Sequence, residues 1–298
     1  MGRKKKGIPI HGWLIIDKPL EISSNNVVGK ARWLTKAQKV GHGGTLDPLA
    51  SGVLPLAFGE ATKTVSFVMD GTKTYRFEVT WGETRTTDDA EGEISATCEK
   101  RPSKAEIEAI LPTFLGVIEQ IPPKFSAIKI NGQRAYKLAR ADEDIEMTAR
   151  TVQIDRLELI DMPDANRAVF EVDCGKGTYV RSLGRDIAAK LDTLGYISVL
   201  RRTKVGPFDE KSAISLDFLE EIVHSDALSE SLLAIETVLD DISALALSEE
   251  EARKIRQGMP LHRDLDNTAI LRLMYEDKLL ALAKIEDGFV RPFRVFNY

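Results

Sequence analysis

The chain is poor in the residues that staple or metallate a protein. Of its 298 residues only two are cysteine, Cys98 and Cys174, far apart and with no CxxC partner. That argues against a disulfide scaffold or a zinc site and fits a reducing cytosol. The four histidines, His11, His42, His224 and His262, are scattered without metal-ligand spacing. No apolar run approaches the roughly 20 residues that span a bilayer. The N-terminus, Met1–Gly7, is basic but lacks the apolar region of a signal peptide. These absences predict a cytoplasmic protein without a metal, a redox centre or a membrane contact.

What is present is ordinary in amount, 43% hydrophobic and 29% charged residues, but uneven in distribution. Against a net charge of −5, residues 1–63 hold 10 Lys/Arg and 4 Asp/Glu, a balance of +6, whereas residues 211–243 hold 1 and 8, a balance of −7. Such a field can bind a polyanion on one face of an acidic protein.

Periodicity predicts alternating strands and helices. His11–Pro19 reads as a buried strand, and Ser23-Ser24-Asn25 offers caps for a helix over Asn26–Thr35. Val53–Phe58 is expected as strand and Ala61–Val68 as a short helix. In Thr72–Trp81 the residues Tyr75, Phe77, Val79 and Trp81 alternate with polar ones, the period of a strand. Thr84–Gly92 reads as an acidic loop with Asp88 and Asp89. Ser103–Glu106 is a capping box for a helix reaching Phe114, with Pro112 against its second half. Residues 121–140 read as a loop, a strand turning at Asn131-Gly132, and a helix. Lys124, Lys129, Arg134, Lys137 and Arg140 interleave there with Phe125 and Tyr136. That arm suits RNA and an ordinary amphipathic hairpin equally.

Val152–Ile160 and Ala168–Cys174 read as strands. Thr178 is expected to cap a helix Tyr179–Leu191 that places Arg181 and Arg185 on one face, followed by a strand Tyr196–Thr203. The acidic tract 211–243 is expected to be largely helical. Beyond it come a helix capped by Ser248, strands Thr268–Tyr275 and Lys278–Ile285 around the turn Glu276-Asp277, and a strand Phe289–Phe296. The change of style sets a domain boundary near residue 243.

One stretch stands apart: Gly41-His42-Gly43-Gly44-Thr45-Leu46-Asp47-Pro48-Leu49-Ala50-Ser51-Gly52-Val53-Leu54-Pro55. No Gly-Lys-Ser/Thr follows its glycines, so it is not a phosphate loop of the Walker type. Pro48 biases Asp47 toward an extended conformation. Spacing alone allows a tight turn with a capping Asp or a shaped loop presenting a carboxylate beside His42. A glycosidase reading lacks a clearly placed second carboxylate.

This stretch resembles the catalytic motif of the bacterial TruB-type tRNA pseudouridine synthases. Four others match in order: Gly12–Pro19, Pro122–Lys129, Tyr179-Val180-Arg181-Ser182-Leu183, and Leu200-Arg201-Arg202-Thr203 with Gly206-Pro207-Phe208. Gly43 departs from the Thr that many members carry.

The resemblance implies an α+β fold, a mixed, largely antiparallel sheet flanked by helices, plus a small C-terminal β-rich PUA-like domain. It divides the chain into a basic tail (1–10), a catalytic domain (11–243) with an RNA-binding insertion at about 121–150, and an RNA-binding domain (244–298). It implies isomerisation of the position-55 uridine in the T loop of tRNA, without cofactor. Asp47 would be the catalytic carboxylate, Arg181 its partner, and Tyr75 the ring that stacks on the target base and helps remove the C5 proton. His42, Tyr179 and Leu200 would contact the flipped nucleotide. Lys124, Lys129, Arg134, Lys137 and Arg140 would contact RNA. tRNA is the expected partner of a monomer needing no other protein. Two alternatives share the loop: an RNA-guided relative inside a ribonucleoprotein, against which the 121–140 arm argues, and a tRNA-binding or folding protein with little catalysis.

Overall fold

The computed structural model describes residues 7–130, 132–141, 143, 145–263 and 270–298. From the N-terminus run β1 (Gly12–Lys18), α1 (Ser24–Thr35), β2 (Val40–His42), β3 (Ala50–Phe58), α2 (Val65–Asp70) and β4 (Lys73–Trp81). Then come a β5 (Glu83–Arg85) and β6 (Ile94–Thr97) ribbon, α3 (Lys104–Ile110) and β7 (Gly116–Gln120). The insertion holds β8 (Lys129–Ile130), β9 (Gln133–Arg134) and α4 (Ala135–Arg140). The unit closes with β10 (Arg150–Asp164), β11 (Arg167–Cys174), α5 (Val180–Lys190), β12 (Gly195–Val205), β13 (Phe208–Asp209), α6 (Leu216–Ile222) and α7 (Ala227–Glu230).

Among the described residues one nine-stranded sheet has the order β1-β3-β12-β4-β11-β10-β7, with β2 added to β3 and β13 to β12. All pairs are antiparallel except β12 with β3. That parallel pair decides where the site lies: Ala50 stands beside Leu200, which stands beside Phe77, and Gly52 beside Arg202, which stands beside Tyr75. A second sheet joins β14 (Ala244–Ala246), β16 (Leu271–Tyr275), β17 (Lys278–Glu286), β18 (Phe289–Val295) and β15 (Leu261–His262) in that order, with α8 (Glu249–Arg256) against it.

The apolar run Trp13–Ile16 is continuous because β1 is covered on both faces. Leu14 and Ile16 enter a core with α1 and α6, while Trp13 and Ile15 enter another with Leu279, Leu282 and Phe296 of the second sheet. A further core packs α3 and α5 on β4, β10, β11 and β12.

Several expectations needed correction. The strand after Asp47 begins at Ala50, not Val53, because Ala50–Gly52 pair with β12. Pro55 is tolerated inside β3 where the neighbour on one side changes from β12 to β2. The segment 61–68 is a 3₁₀ turn (Gly59–Lys63) followed by α2. The expected loop 84–92 starts as strand. The helix capped by Ser103 stops at Ile110 and continues as a 3₁₀ turn over Leu111–Phe114, since Pro112 cannot donate. Thr178 does not cap α5: its hydroxyl donates to the Gly175 carbonyl, and Tyr179 is the capping position without a side-chain bond. The tract 211–243 is α-helical only in α6 and α7, with short 3₁₀ turns at its edges. Strand β16 starts at Leu271; Thr268 and Asn131 lie outside the described residues, as do residues 1–6.

Candidate active site

Asp47 lies in the connection from β2 to β3, and its loop is held mainly through backbone carbonyls. The Ser24 hydroxyl, at the start of α1, donates to Leu46 O (3.0 Å) and accepts from Leu46 N–H (2.8 Å). Two buried cations grip the rest. Lys18, fully buried at the end of β1, donates Nζ to Pro19 O, Ile22 O and Pro48 O at 2.8, 2.7 and 3.2 Å. Arg202, buried on β12, donates Nε to Val53 O (2.8 Å), Nη2 to Gly44 O (3.1 Å) and Nη1 to Thr45 O (3.5 Å). A buried cation is stable only when its donors are satisfied, and here carbonyl oxygens do this. Burial pushes the Lys18 ammonium down to about 8, with the Asp47 charge opposing the shift.

Gly52 has φ +101°, and a Cβ there would stand 2.2 Å from the Arg202 carbonyl oxygen. Only glycine allows β3 to approach β12 this closely. At Gly43 a Cβ would meet Val68 Cγ1 at 2.8 Å, so the glycine fits the packing of this chain.

The Asp47 carboxylate, 42% exposed, meets Arg181, 5% exposed, with Nη2 to Oδ2 at 2.9 Å. The arginine sits in the first turn of α5, where all its other contacts are also to fixed groups. Nη1 donates to Thr87 O at 3.0 Å and lies 3.4 Å from Asp89 Oδ2; Nη2 also donates to Phe125 O at 2.9 Å. One guanidinium thus ties the Asp47 loop, the 86–89 turn and the root of the insertion. Arg181 is turned inward, while Arg185 on the same helix keeps the outer position, bonding Asp88 Oδ2 (3.0 Å) and Ile121 O (2.8 Å). Asp89 is the second carboxylate that the sequence did not place. It is buried and engaged by Arg181 and by the hydroxyl of Thr87, so it faces the arginine as a buttress.

Asp47, Arg181 and Leu200 line one cleft together with Ala50, Asp89 and Ser198. Tyr75 is half-buried between two cores and packs with Leu200 in both. Burial pushes its phenol up, Arg202 opposes this, and the Asp47 charge adds to it. Tyr179 is half-buried at the start of α5; its N–H donates to Gln120 Oε1 at 2.8 Å. Its phenol is pushed up by burial, and the Asp47 charge again adds. His42 joins the loop differently: Nδ1 accepts from Gly44 N–H at 3.3 Å, and burial, reinforced by Arg202, lowers its basicity. The imidazole is therefore a neutral ring with Nδ1 as acceptor.

The cations Lys124, Lys129, Arg134, Lys137 and Arg140 are all exposed on the insertion. Arg140 lies over the Tyr136 ring at 5.9 Å, and Arg134 donates to the Ala127 carbonyl. The Phe125 carbonyl, accepting from Arg181, links the insertion to the guanidinium that pairs with Asp47. Sequence reasoning missed Lys18, Arg202 and Asp89 as site residues. A lysine ending an otherwise apolar strand and an Arg-Arg pair within an alternating one were the available signals. Among the described residues no group of three or more His, Cys, Asp or Glu could hold a metal.

With this geometry the comparisons converge. Residues 32–180 match the model of the N-terminal domain of the TruB family of pseudouridylate synthases, and residues 181–240 that of the tRNA pseudouridylate synthase B C-terminal domain. The tRNA pseudouridine synthase B of Bradyrhizobium diazoefficiens is 52% identical, covering 97% of this chain and 86% of its own. That of Rhodospirillum rubrum is 50% identical over 100% of both. Among solved structures, a Cbf5-Nop10-Gar1 complex superposes with a TM-score of 0.73 at 23% identity, covering 96% of this chain and 85% of that one. The archaeal box H/ACA Nop10-Cbf5 complex gives 0.72 at 22%, covering 100% and 93%. At these identities the two structures speak for the fold, including the C-terminal sheet.

Proposed function

The chain belongs to the TruB family of pseudouridylate synthases, and from that membership we infer its activity: it isomerises uridine to pseudouridine in tRNA, at the position-55 uridine of the T loop. The N1–C1′ bond breaks, the base turns, and C5 takes the place of N1. One proton leaves C5 and one is gained at N1, so the reaction balances without an electron carrier or energy source.

We assign the chemistry to Asp47. The observation that carries this is its pairing: a half-exposed carboxylate on a buried guanidinium, with Nη2 to Oδ2 at 2.9 Å. An anion held this way is oriented by a charge-assisted bond yet open to substrate, and it can attack or stabilise the sugar carbon as the base departs. Arg181 is positioned in turn by Asp89 and the Thr87 carbonyl. Tyr75 offers its ring to the base, and burial keeps its phenol protonated. Leu200 supplies an apolar wall of the cleft, and in this reading Tyr179 and His42, which do not line that cleft, border the flipped nucleotide. Extruding a uridine from a folded loop costs a few kcal/mol of unstacking. The insertion cations and the β-rich unit 244–298, an RNA-binding domain in this reading, recover that energy by contacts to tRNA. The protein works as a cytoplasmic monomer without an obligatory protein partner.

Incubation of purified protein with T-arm RNA tritiated at uridine C5 tests this. Wild type releases tritium without guide RNA or added protein, and Asp47→Ala lowers the rate at least about a thousandfold, a barrier increase of about 4 kcal/mol. Undiminished release from Asp47→Ala, or none from wild type, would exclude the assignment.

A further inference from the structure

Among the described residues the outer face of α1 is an unpartnered surface whose composition points to nucleic acid. Three tryptophans occur in the chain; Trp13 and Trp81 are buried in cores, whereas Trp33 is 74% exposed. Trp33 shares a helical stripe with Asn26 and Gly29, at successive spacings of three and four residues, and Lys36 follows it as the left-handed C-cap of the helix. Gly29 is unexplained by the fold: a helix-interior glycine is less stable than alanine, yet a Cβ there would meet nothing within 4 Å. Its absence leaves a flat patch of backbone beside an exposed indole. The segment that carries this patch is basic. Between Glu21 and Asp47 the chain holds Lys30, Arg32, Lys36 and Lys39 and no acidic residue. The flanking acid is Glu220 of α6, 3.4 Å from Lys30, while Lys36 and Lys39 are exposed. The same helix begins at Ser24, which holds Leu46 beside Asp47, and Trp33 lies nine residues further on, about 14 Å along the helix axis.

We propose that the Gly29–Trp33–Lys36 face of α1 is a second RNA-docking surface, on which a nucleobase of the substrate stacks on Trp33 while Lys36 and Lys39 meet phosphates and Gly29 admits the backbone. The surface deepens the reading of the protein as a tRNA pseudouridine synthase and rests on it. An exposed indole beside two exposed lysines favours a nucleic acid over a protein partner, since stacking with interleaved cations is how single-stranded and loop nucleotides are held.

The three tryptophans supply the test. In Asp47→Asn protein, quenching by acrylamide reports almost entirely on Trp33. Saturating T-arm hairpin or full-length tRNA transcript is expected to protect it and shift its emission. Trp33→Ala is expected to weaken RNA binding about tenfold, Trp33→Phe to recover part of this, and neither to move Tm. Gly29→Gln, a better helix former, is expected to raise Tm and weaken binding, a pairing that a purely structural residue would not show. Protection by full-length tRNA alone would support the surface and place it beyond the T arm. Unchanged accessibility at saturating RNA, binding by Trp33→Ala within twofold of wild type, or protection that follows protein concentration instead of RNA would each overturn it. Tritium release by wild type separates the two readings. Release with an unaltered Trp33 removes this surface alone, whereas no release and no binding remove the reading beneath it.

Discussion

Lys18 shows how a residue outside the reacting atoms controls the site. Its ammonium holds three carbonyls, including that of Pro48 next to Asp47, and burial lowers its pKa from 10.5 to about 8. Two effects of opposite sign follow. Above pH 8 the clamp loses a proton and a donor, so activity is expected to fall with an apparent pKa near 8. Stability moves the other way. The unfolded chain binds this proton more tightly, so the penalty on the folded state is full below pH 8 and fades as pH rises toward 10.5. Urea unfolding at intervals across this range, beside pH–rate profiles, checks both limbs. Lys73 is also lowered to about 8 by burial but bonds the carbonyls of Met69 and Gly71, away from the Asp47 loop. Lys18→Arg should therefore abolish the fall in activity, and Lys73→Arg should leave it in place.

At the scale of elements, the site depends on strand β12 lying parallel to β3 and antiparallel to β4. Gly52 is the narrowest point of that arrangement. Gly52→Ala introduces a Cβ 2.2 Å from the Arg202 carbonyl, at a φ of +101°. The combined strain and overpacking are expected to cost at least about 2 kcal/mol. Because the neighbouring Arg202 side chain grips Gly44 and Thr45, activity should fall further than stability predicts. Denaturant titration and tritium release on the same sample separate the two. Helix α5 is the second such element: its first two turns carry Arg181, Ser182 and Arg185, which hold the carbonyls of Phe125 and Ile121. Its start at residues 179–180 was legible from periodicity. Its cap was not, because Gln120 reaches Tyr179 N–H from β7, 59 residues earlier.

Across the whole molecule, the second sheet is bound to the first by a common core. Leu279, Leu282 and Phe296 pack with Trp13, Val53 and Ala57, the Lys63 ammonium donates to Val295 O at 2.6 Å, and Asn297 N–H donates to Glu60 Oε2 at 2.8 Å. Leu282 is fully buried, so Leu282→Ala is expected to lower stability by about 3 kcal/mol. The shared core predicts that both sheets are lost in one transition. Calorimetry with near-ultraviolet circular dichroism would reveal a separate melting of residues 244–298 if that were wrong.

Local patterning was sufficient for much of this protein. Alternation in Tyr75–Trp81, the capping boxes at Ser103 and Ser248, and the glycine-rich stretch around Asp47 each follow from neighbours within a few residues, where sterics and hydrogen bonding act. The resemblance carried by five short motifs pointed to the family and its reaction. What only the tertiary structure decided is the convergence. Asp47 and Arg181 are 134 positions apart in the chain and 2.9 Å apart in space, because sheet order is set by which faces can be buried together, a non-local free energy. The same holds for Lys18, Arg202 and Asp89. Each is an unremarkable charge in the sequence, and each becomes part of the site because the fold buries it against the Asp47 loop or against Arg181.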